Sequence, residues 1–516
     1  MTTRRLLRGG LVADGVGDDV VRADVLIEDA DILAVGPDVD AGVDAEAIDL
    51  EPGSIVCPGF IDAHVHAERP LVDDGVVPGA LAQGVTTLVI GQDGSSWVGG
   101  SAAAVDYFSH YFGPINGAAP RPGACGVADF RDMVSGRLVQ NVAVLASQGT
   151  IRYNAAGADS RPLDADEIAA ARFELERALS DGAVGLSSGL DYVPSRFGSA
   201  EEIAAIAAPL RDADRPYVSH LRGYGPTVAD GLAELALVGR TAGMPVHASH
   251  LWGDPADIDA AIRRADADDV PMTYDMYPYS WSSTVLSMLT LPADILEGGT
   301  DASLRRLADP GVRADLLRSD RLTADALGTV VLGSLPDSLA RHAGRTVVEA
   351  AAADDHPPGE WTLDALAAAQ FQIGAHLDRP TLTEDWIRAI VRHDRHCAGS
   401  DGIYQGQHPH PRGWGAFARL VGYYTNADGQ TDYQQLARHL STTAADTYRL
   451  HRRGRLLPAH AADITVLTPT GLTETAAYSQ PRELATGVAL VLVNGATAWA
   501  EAAASRAIPP GGTIAT

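Results

Sequence analysis

Residues 59–66 read GFIDAHVH, an apolar run that closes on two histidines two positions apart. In an extended chain, residues i and i+2 project from one face. His64 and His66 therefore leave a strand end side by side. Two imidazoles so placed can share one metal ion at roughly 2.0–2.1 Å each. The rest of the chain decides whether this strand stands alone.

It does not. Further apolar strand candidates end in TTLVIGQD (86–93), VAVLASQG (142–149), AVGLSSGLDY (183–192), YVSHLRG (217–223), VHASHLWG (246–253), MTYDMYPY (272–279) and HCAGSDG (396–402). Helical segments such as ADEIAAARFELERALSDG and VADGLAELALVGRTAG lie between them. Eight strand–helix units are the count of a (β/α)8 TIM barrel, expected over residues 59–451. The spacing is regular except between the seventh and eighth strands, where the gap exceeds one crossover helix. The surplus reads as an insertion near 290–345, placed as a lid, with the helix LTEDWIRAIVRH after it. Residues 1–58 and 452–516 have a different texture of short strands and turns, and are expected to meet as one small β domain.

With 516 residues and 46% hydrophobic side chains, the chain has the length for a large domain plus an accessory one. No apolar run reaches the 18 or so residues of a membrane span, and no apolar segment comes after the N-terminal Arg pair, so neither membrane nor signal peptide is expected. A net charge of −28 opposes nucleic-acid binding. The three cysteines, Cys57, Cys125 and Cys397, form neither a disulfide framework nor a zinc ribbon and fit a cytoplasmic location. All 39 basic residues are arginine, which removes every mechanism that needs a lysine, including Schiff bases.

Active sites of barrels of this kind lie at the C-terminal strand ends. Those ends carry His64, His66, Asp93, Tyr192, His220, His250 and Asp401. Four histidines and two carboxylates on different strands make a nitrogen–oxygen ligand list that favours zinc, with one or two ions per chain. His247 has the opposite parity to His250 and is expected to point away from the site. His393, His396, His408 and His410 flank the last strand, and His410, beside Arg412, is the nearest of them to a site role.

The pattern resembles the amidohydrolase superfamily, with PGFIDAHVH as first-strand signature, and within it the D-aminoacylase (N-acyl-D-amino-acid deacylase) family. GVTTLVIGQDG, GAVGLSSGLDYVP, YVSHLRG, DMYPYSWSST, AGSDG with HPHPRGWGAFARLVGYY, and RGRLLPAHAADITVL look like that family's blocks, in its order. The resemblance implies a barrel with a small β-sandwich built from both termini. It also implies metal-dependent hydrolysis of the amide of N-acyl-D-amino acids. By it, His220, His250 and Asp93 would hold the tighter metal, and His64, His66 and Asp401 a second. Asp401 would serve as general base and acid, and Tyr192 would polarise the scissile carbonyl. Arg412, Tyr279 and Ser283 would contact the substrate carboxylate.

Three departures stand out. Asp93 replaces the family's usual Cys, a harder ligand that also admits manganese or cobalt. Trp252 replaces a usual Lys and offers a flat ring to the substrate instead of a charge. Gln148 stands where the family often has His. The expected partner is a small-molecule amide, with a monoanionic acid bearing a bulky apolar part favoured. Trp252 keeps open a second class, a cyclic imide, hydantoin-like or carbamoyl compound. A non-catalytic scaffold is the third reading.

Overall fold

A computed structural model describes residues 3–42, 44–426 and 429–500. The chain has an α/β fold. Most of its parallel strands lie in two sheets. One joins Phe60–Asp62, Val85–Ile90 and Asn141–Val144. The other runs through Ala146–Ser147, Leu186–Gly189, Tyr217–His220, Val246–Ala248, Met272–Met276 and His396–Ala398. Backbone bonds link the two sheets. Leu145 N donates to Ile90 O at 2.9 Å and Val184 N to Val144 O at 2.9 Å, while Ala63 N donates to Ala398 O at 3.0 Å. Strands buried on both faces read as continuous apolar runs, which is why VTTLVI shows no alternation.

The crossover helices obey their sequence signals. Asp164 caps Ala165–Ser180 by accepting from Asp166 N and Glu167 N, and Glu167 reaches back to the Asp164 amide. Ala171, Leu175 and Ala178 form its buried stripe. Val228–Ala242 ends at Gly243, whose φ of 75° is the left-handed stop that favours glycine. The helix expected at LTEDWIRAIVRH runs over Glu384–Val391, capped by Thr383.

Between the Met272–Met276 and His396–Ala398 strands lies an antiparallel sheet of Trp281–Val285, Gly374–Asp378 and Val330–Ser334. It packs with its helices as a separate apolar cluster that includes Leu286, Leu332, Leu363 and Ile373. The extra segment thus begins and ends at a paired strand, wider than the 290–345 read from the sequence.

Strands from both ends of the chain form one eight-stranded sheet. In it Ile464–Leu467 pairs antiparallel with Ile55–Pro58, which pairs in turn with Arg4–Val12. The hairpin between Val488–Val493 and Ala496–Ala500 turns on Asn494 and Gly495, with φ of 49° and 75°, the conformation that makes Asn-Gly a hairpin signal. One face buries Leu7, Val25, Ile27, Ile464 and Leu492. The part of the expected C-terminal unit at 501–516 lies outside the described residues. Among the described residues, no helix is long and apolar enough to cross a membrane.

Candidate metal centre

The strand ends bring together all six of the histidines and carboxylates read as ligands. His64 Nε2 lies 3.7 Å from Asp93 Oδ1 and 3.7 Å from Asp401 Oδ1. His66 Nε2 lies 3.3 Å from Asp401 Oδ1 and 3.7 Å from Asp93 Oδ2. Asp93 Oδ1 also faces His250 Nε2 at 3.5 Å and His220 Nδ1 at 3.8 Å. Two groups, His64–His66–Asp401 and His64–Asp93–His250, have all their ligand atoms within 4.8 Å of one another. His220 lies beside the second group, its Nδ1 3.1 Å from His250 Nε2.

The site is built from strained backbone. Asp93, His250 and Asp401 each take a positive φ, of 57°, 36° and 49°. Non-glycine residues seldom do so, and such strain concentrates where surrounding structure must aim a side chain. Two contacts fix the first and last strand ends to each other. Asp401 N donates to His64 O at 2.8 Å. Buried Asp62 accepts from Ser400 N at 2.8 Å, Ser400 Oγ at 2.5 Å and His64 N at 3.3 Å.

Three of the four imidazoles meet a partner from behind. His66 Nδ1 donates to Asn116 Oδ1 at 2.7 Å, and Asn116 donates through its amide to Ser95 O, so the lone pair of His66 Nε2 faces the centre. His64 Nδ1 faces Asp275 Oδ2 at 3.5 Å. His220 Nε2 donates to Asp191 at 3.4 Å. Asp275 also accepts from His250 N at 2.9 Å and from His247 Nε2 at 3.0 Å. This corrects the reading of His247. The strand ends at Ala248, and the positive φ of His250 breaks the alternation that parity assumes. His247 pairs in register with Thr273, so it faces the same side as Asp275, and it packs on Tyr448.

The electrostatics arise from this packing. Burial alone would raise Asp93 and Asp401. The close approach of His250 and the fields of His64, His220 and His250 instead hold Asp93 well below the usual carboxylate range. Arg412, His66, His64 and His250 do the same for Asp401. Burial opposes charge on His64, but Asp275, Asp401 and Asp93 win and raise it to about 9. Burial lowers His250 and pushes the Tyr192 hydroxyl well up.

A cation fits here. His64 Nε2 and Asp93 Oδ1 are buried with no hydrogen-bond partner among the described residues. Orphaned polar atoms of this kind are costly unless something pairs them. Ligand atoms around a tetrahedral ion stand roughly 3.3 Å apart at the bond lengths of zinc. The nearest separations in the cluster are close to that.

A cavity of about 150 Å³ opens onto Asp93, His220, His250 and Asp401. Tyr192, Ser283 and Trp252 line it. Tyr192 shares a 2.8 Å hydrogen bond with Thr284. Tyr279 does not line it. Its hydroxyl donates to Glu474 at 2.6 Å, and Tyr277, two residues earlier, supplies the pocket ring. Arg412 is buried outside the lining, with Nη2 2.9 Å from Asp401 Oδ2. His410 accepts from Arg412 N and meets the Tyr478 hydroxyl at 3.2 Å, away from the cavity. His393, His396 and His408 also lie outside the lining. Sequence reasoning misses Asp275, Asp191, Asn116 and Arg379. Asp275 alone carries a signal, an acid inside the apolar strand Met272–Met276.

A strained ring of histidines and carboxylates on an α/β scaffold, facing a half-apolar cavity, defines a metallohydrolase-like centre. The family model described as amidohydrolase matches residues 46–498, and the chain belongs to that family. It is similar to the N-acyl-D-glutamate deacylase of Alcaligenes xylosoxydans xylosoxydans, 29% identical with 97% of this chain and 94% of that one covered. It is also similar to that organism's D-aminoacylase, 28% identical with 96% and 95% covered. Among solved structures, the N-acyl-D-glutamate deacylase of Bordetella bronchiseptica, complexed with zinc and a phosphonate mimic of the tetrahedral intermediate, superposes with a TM-score of 0.81 at 25% identity over 99% of each chain.

Proposed function

We propose that this protein hydrolyses the amide bond of N-acyl-D-amino acids in a metal-dependent reaction. The observation that carries the reading is the convergence of His64, His66, Asp93, His220, His250 and Asp401 at one end of a cavity whose other wall is apolar. The full-length similarity to deacylases of N-acyl-D-amino acids supports the substrate class. His220, His250 and Asp93 would hold one zinc ion, and His64, His66 and Asp401 a second. Zinc, when bound, acidifies water to a pKa of about 7 and polarises a carbonyl.

The chain's own groups supply the rest. Asp401, kept ionised by Arg412, accepts the proton of the attacking water and returns it to the leaving nitrogen. The hydroxyl of Tyr192, kept protonated by burial, donates to the developing oxyanion. Water and the amide become a carboxylic acid and a free D-amino acid. No protein nucleophile is needed. A low-dielectric wall of Trp252, Met288, Leu289 and Leu377 suits an apolar substituent.

The same reading extends to the architecture. The parallel strands, with Ala63 bonded to Ala398 across the ends of the series, support a closed (β/α)8 barrel over 59–451. The shared terminal sheet supports a β-sandwich from 1–58 and 452–516.

The test is direct. Zinc-loaded protein is assayed for release of free amino acid from a panel of N-acetyl-D- and N-acetyl-L-amino acids. Turnover confined to the D series, and lost on chelation, is the expected result. Turnover of hydantoins or imides alone would overturn the assignment.

A further inference from the structure

Arg379 comes directly after the strand Gly374–Asp378 of the added sheet and enters the cavity beside the metal-ligand cluster. It is 6% exposed. Its Nε donates to Ser280 O at 2.9 Å and its Nη2 to Tyr279 O at 2.7 Å. Nη2 also meets Trp281 O at 3.4 Å, and among the described residues Nη1 has no hydrogen-bond acceptor and no carboxylate lies within 4 Å of the guanidinium. In a chain with 67 acids and 39 arginines, a buried guanidinium without a counter-charge is conspicuous. A buried charge is costly unless paired, so this one is built for a partner that arrives from outside.

Its setting aims it. The guanidinium carbon lies 5.1 Å from the centre of the Trp252 ring and 5.0 Å from that of Tyr277. Trp252 is itself seated on Gly225, where a Cβ would come within 2.6 Å of the indole. The carbonyl acceptors and the two rings thus leave one edge of the fork open. Arg412, the cation expected in this role, lies outside the cavity lining, pairs with Asp401 at 2.9 Å and stacks on Tyr277 at 4.4 Å, while its Nε and Nη1 have no hydrogen-bond partner among the described residues.

We infer that Arg379 is the residue that binds the substrate's carboxylate, with Trp252 and Tyr277 clamping its guanidinium. This rests on the proposed amide hydrolysis. It also gives Trp252 a purpose, since the ring positions a cation delivered from the added sheet. One unpaired cation in the cavity suits one substrate carboxylate, and the apolar wall beside it suits a side chain such as that of leucine.

The experiment compares N-acetyl-D-leucine with its methyl ester in the zinc-loaded full-length protein. Arg379→Met should lower the acid-to-ester ratio of kcat/KM about 10- to 100-fold, the range of one charge-assisted hydrogen bond, through KM and with metal content unchanged. Arg379→Lys should recover part of the loss, and it carries the test if the Met variant does not fold. An unchanged ratio in the variant that folds overturns the assignment. So does a fall in Arg412→Leu with none at Arg379. If the wild-type protein turns over neither compound, the functional reading fails on its own. Calorimetry of N-acetyl-D-leucine then decides the residue: tighter binding to wild type than to the variant upholds it, and equal or absent binding overturns it.

Discussion

Arg412 Nη2 lies 2.9 Å from Asp401 Oδ2, and both side chains are buried. Arg412 therefore acts on the proton carrier. Its field lowers Asp401, which keeps the carboxylate ionised down to acid pH. Removing the cation raises that pKa. Arg412→Leu should shift the acid limb of the kcat/KM–pH profile upward and lower kcat at neutral pH by tenfold or more, from the roughly 1.5–3 kcal/mol of a charge-assisted bond. Acid and ester substrates should suffer alike.

Ligand substitutions should separate metal binding from proton transfer. His250→Ala and Asp93→Ala should each lower bound zinc and activity together, as read by metal analysis after dialysis. Asp93→Cys should shift preference toward zinc over manganese, because a thiolate is softer. Asp401→Asn should lose turnover by orders of magnitude while retaining the ion held by His220, His250 and Asp93. Full metal in Asp93→Ala would remove it from the ligand set.

Metal affinity should depend on pH with a definite sign. His64 has a folded pKa raised to about 9 from its ordinary 6.5, so the metal-free protein holds a proton there at neutral pH. A metal must displace that proton. Apparent zinc affinity should climb about tenfold per pH unit up to pH 9 and level off above it. The contribution of His64 to the stability of the metal-free fold is fully present below pH 6.5 and lost as pH rises through 9. Titrations at pH 6, 7, 8 and 9 measure both.

Asp275 joins His64, His247 and the amide of His250. Asp275→Ala leaves all three groups buried and without that acceptor. A loss of about 3–5 kcal/mol is expected from breaking such a buried pair, read from urea unfolding of the metal-free protein. A variant as stable as the parent would show that His64 and His247 find other partners.

Much of the site is legible in the sequence because parallel strands deliver these residues from their ends. His64, His66, Asp93, His220, His250 and Asp401 can be picked from strand endings, and the structure brings them close to one another. Parity and resemblance serve less well. Parity misplaces His247, because φ at His250 reverses the local alternation. The family resemblance points to Tyr279, but Tyr277 faces the cavity and the Tyr279 hydroxyl turns to Glu474. Arg379 is invisible, because only the antiparallel pairing of Gly374–Asp378 with Trp281–Val285 carries it to the cavity. The residues behind the ligands, Asn116 and Asp191, come from segments whose paths no periodicity encodes.

The sheet shared by the two termini sets a timetable for synthesis. Arg5 donates to Gly495 O at 2.9 Å across 490 residues, and the Ile55–Pro58 strand waits for Ile464–Leu467. At ~5–20 residues per second, a ribosome needs roughly 20–80 s to travel between those two strands. For that interval the nascent chain carries an apolar strand with a bare edge, open to pairing with a neighbouring chain. Expression at lower temperature or with a holdase should raise the yield of this protein more than it would for a chain whose sheets pair as they emerge.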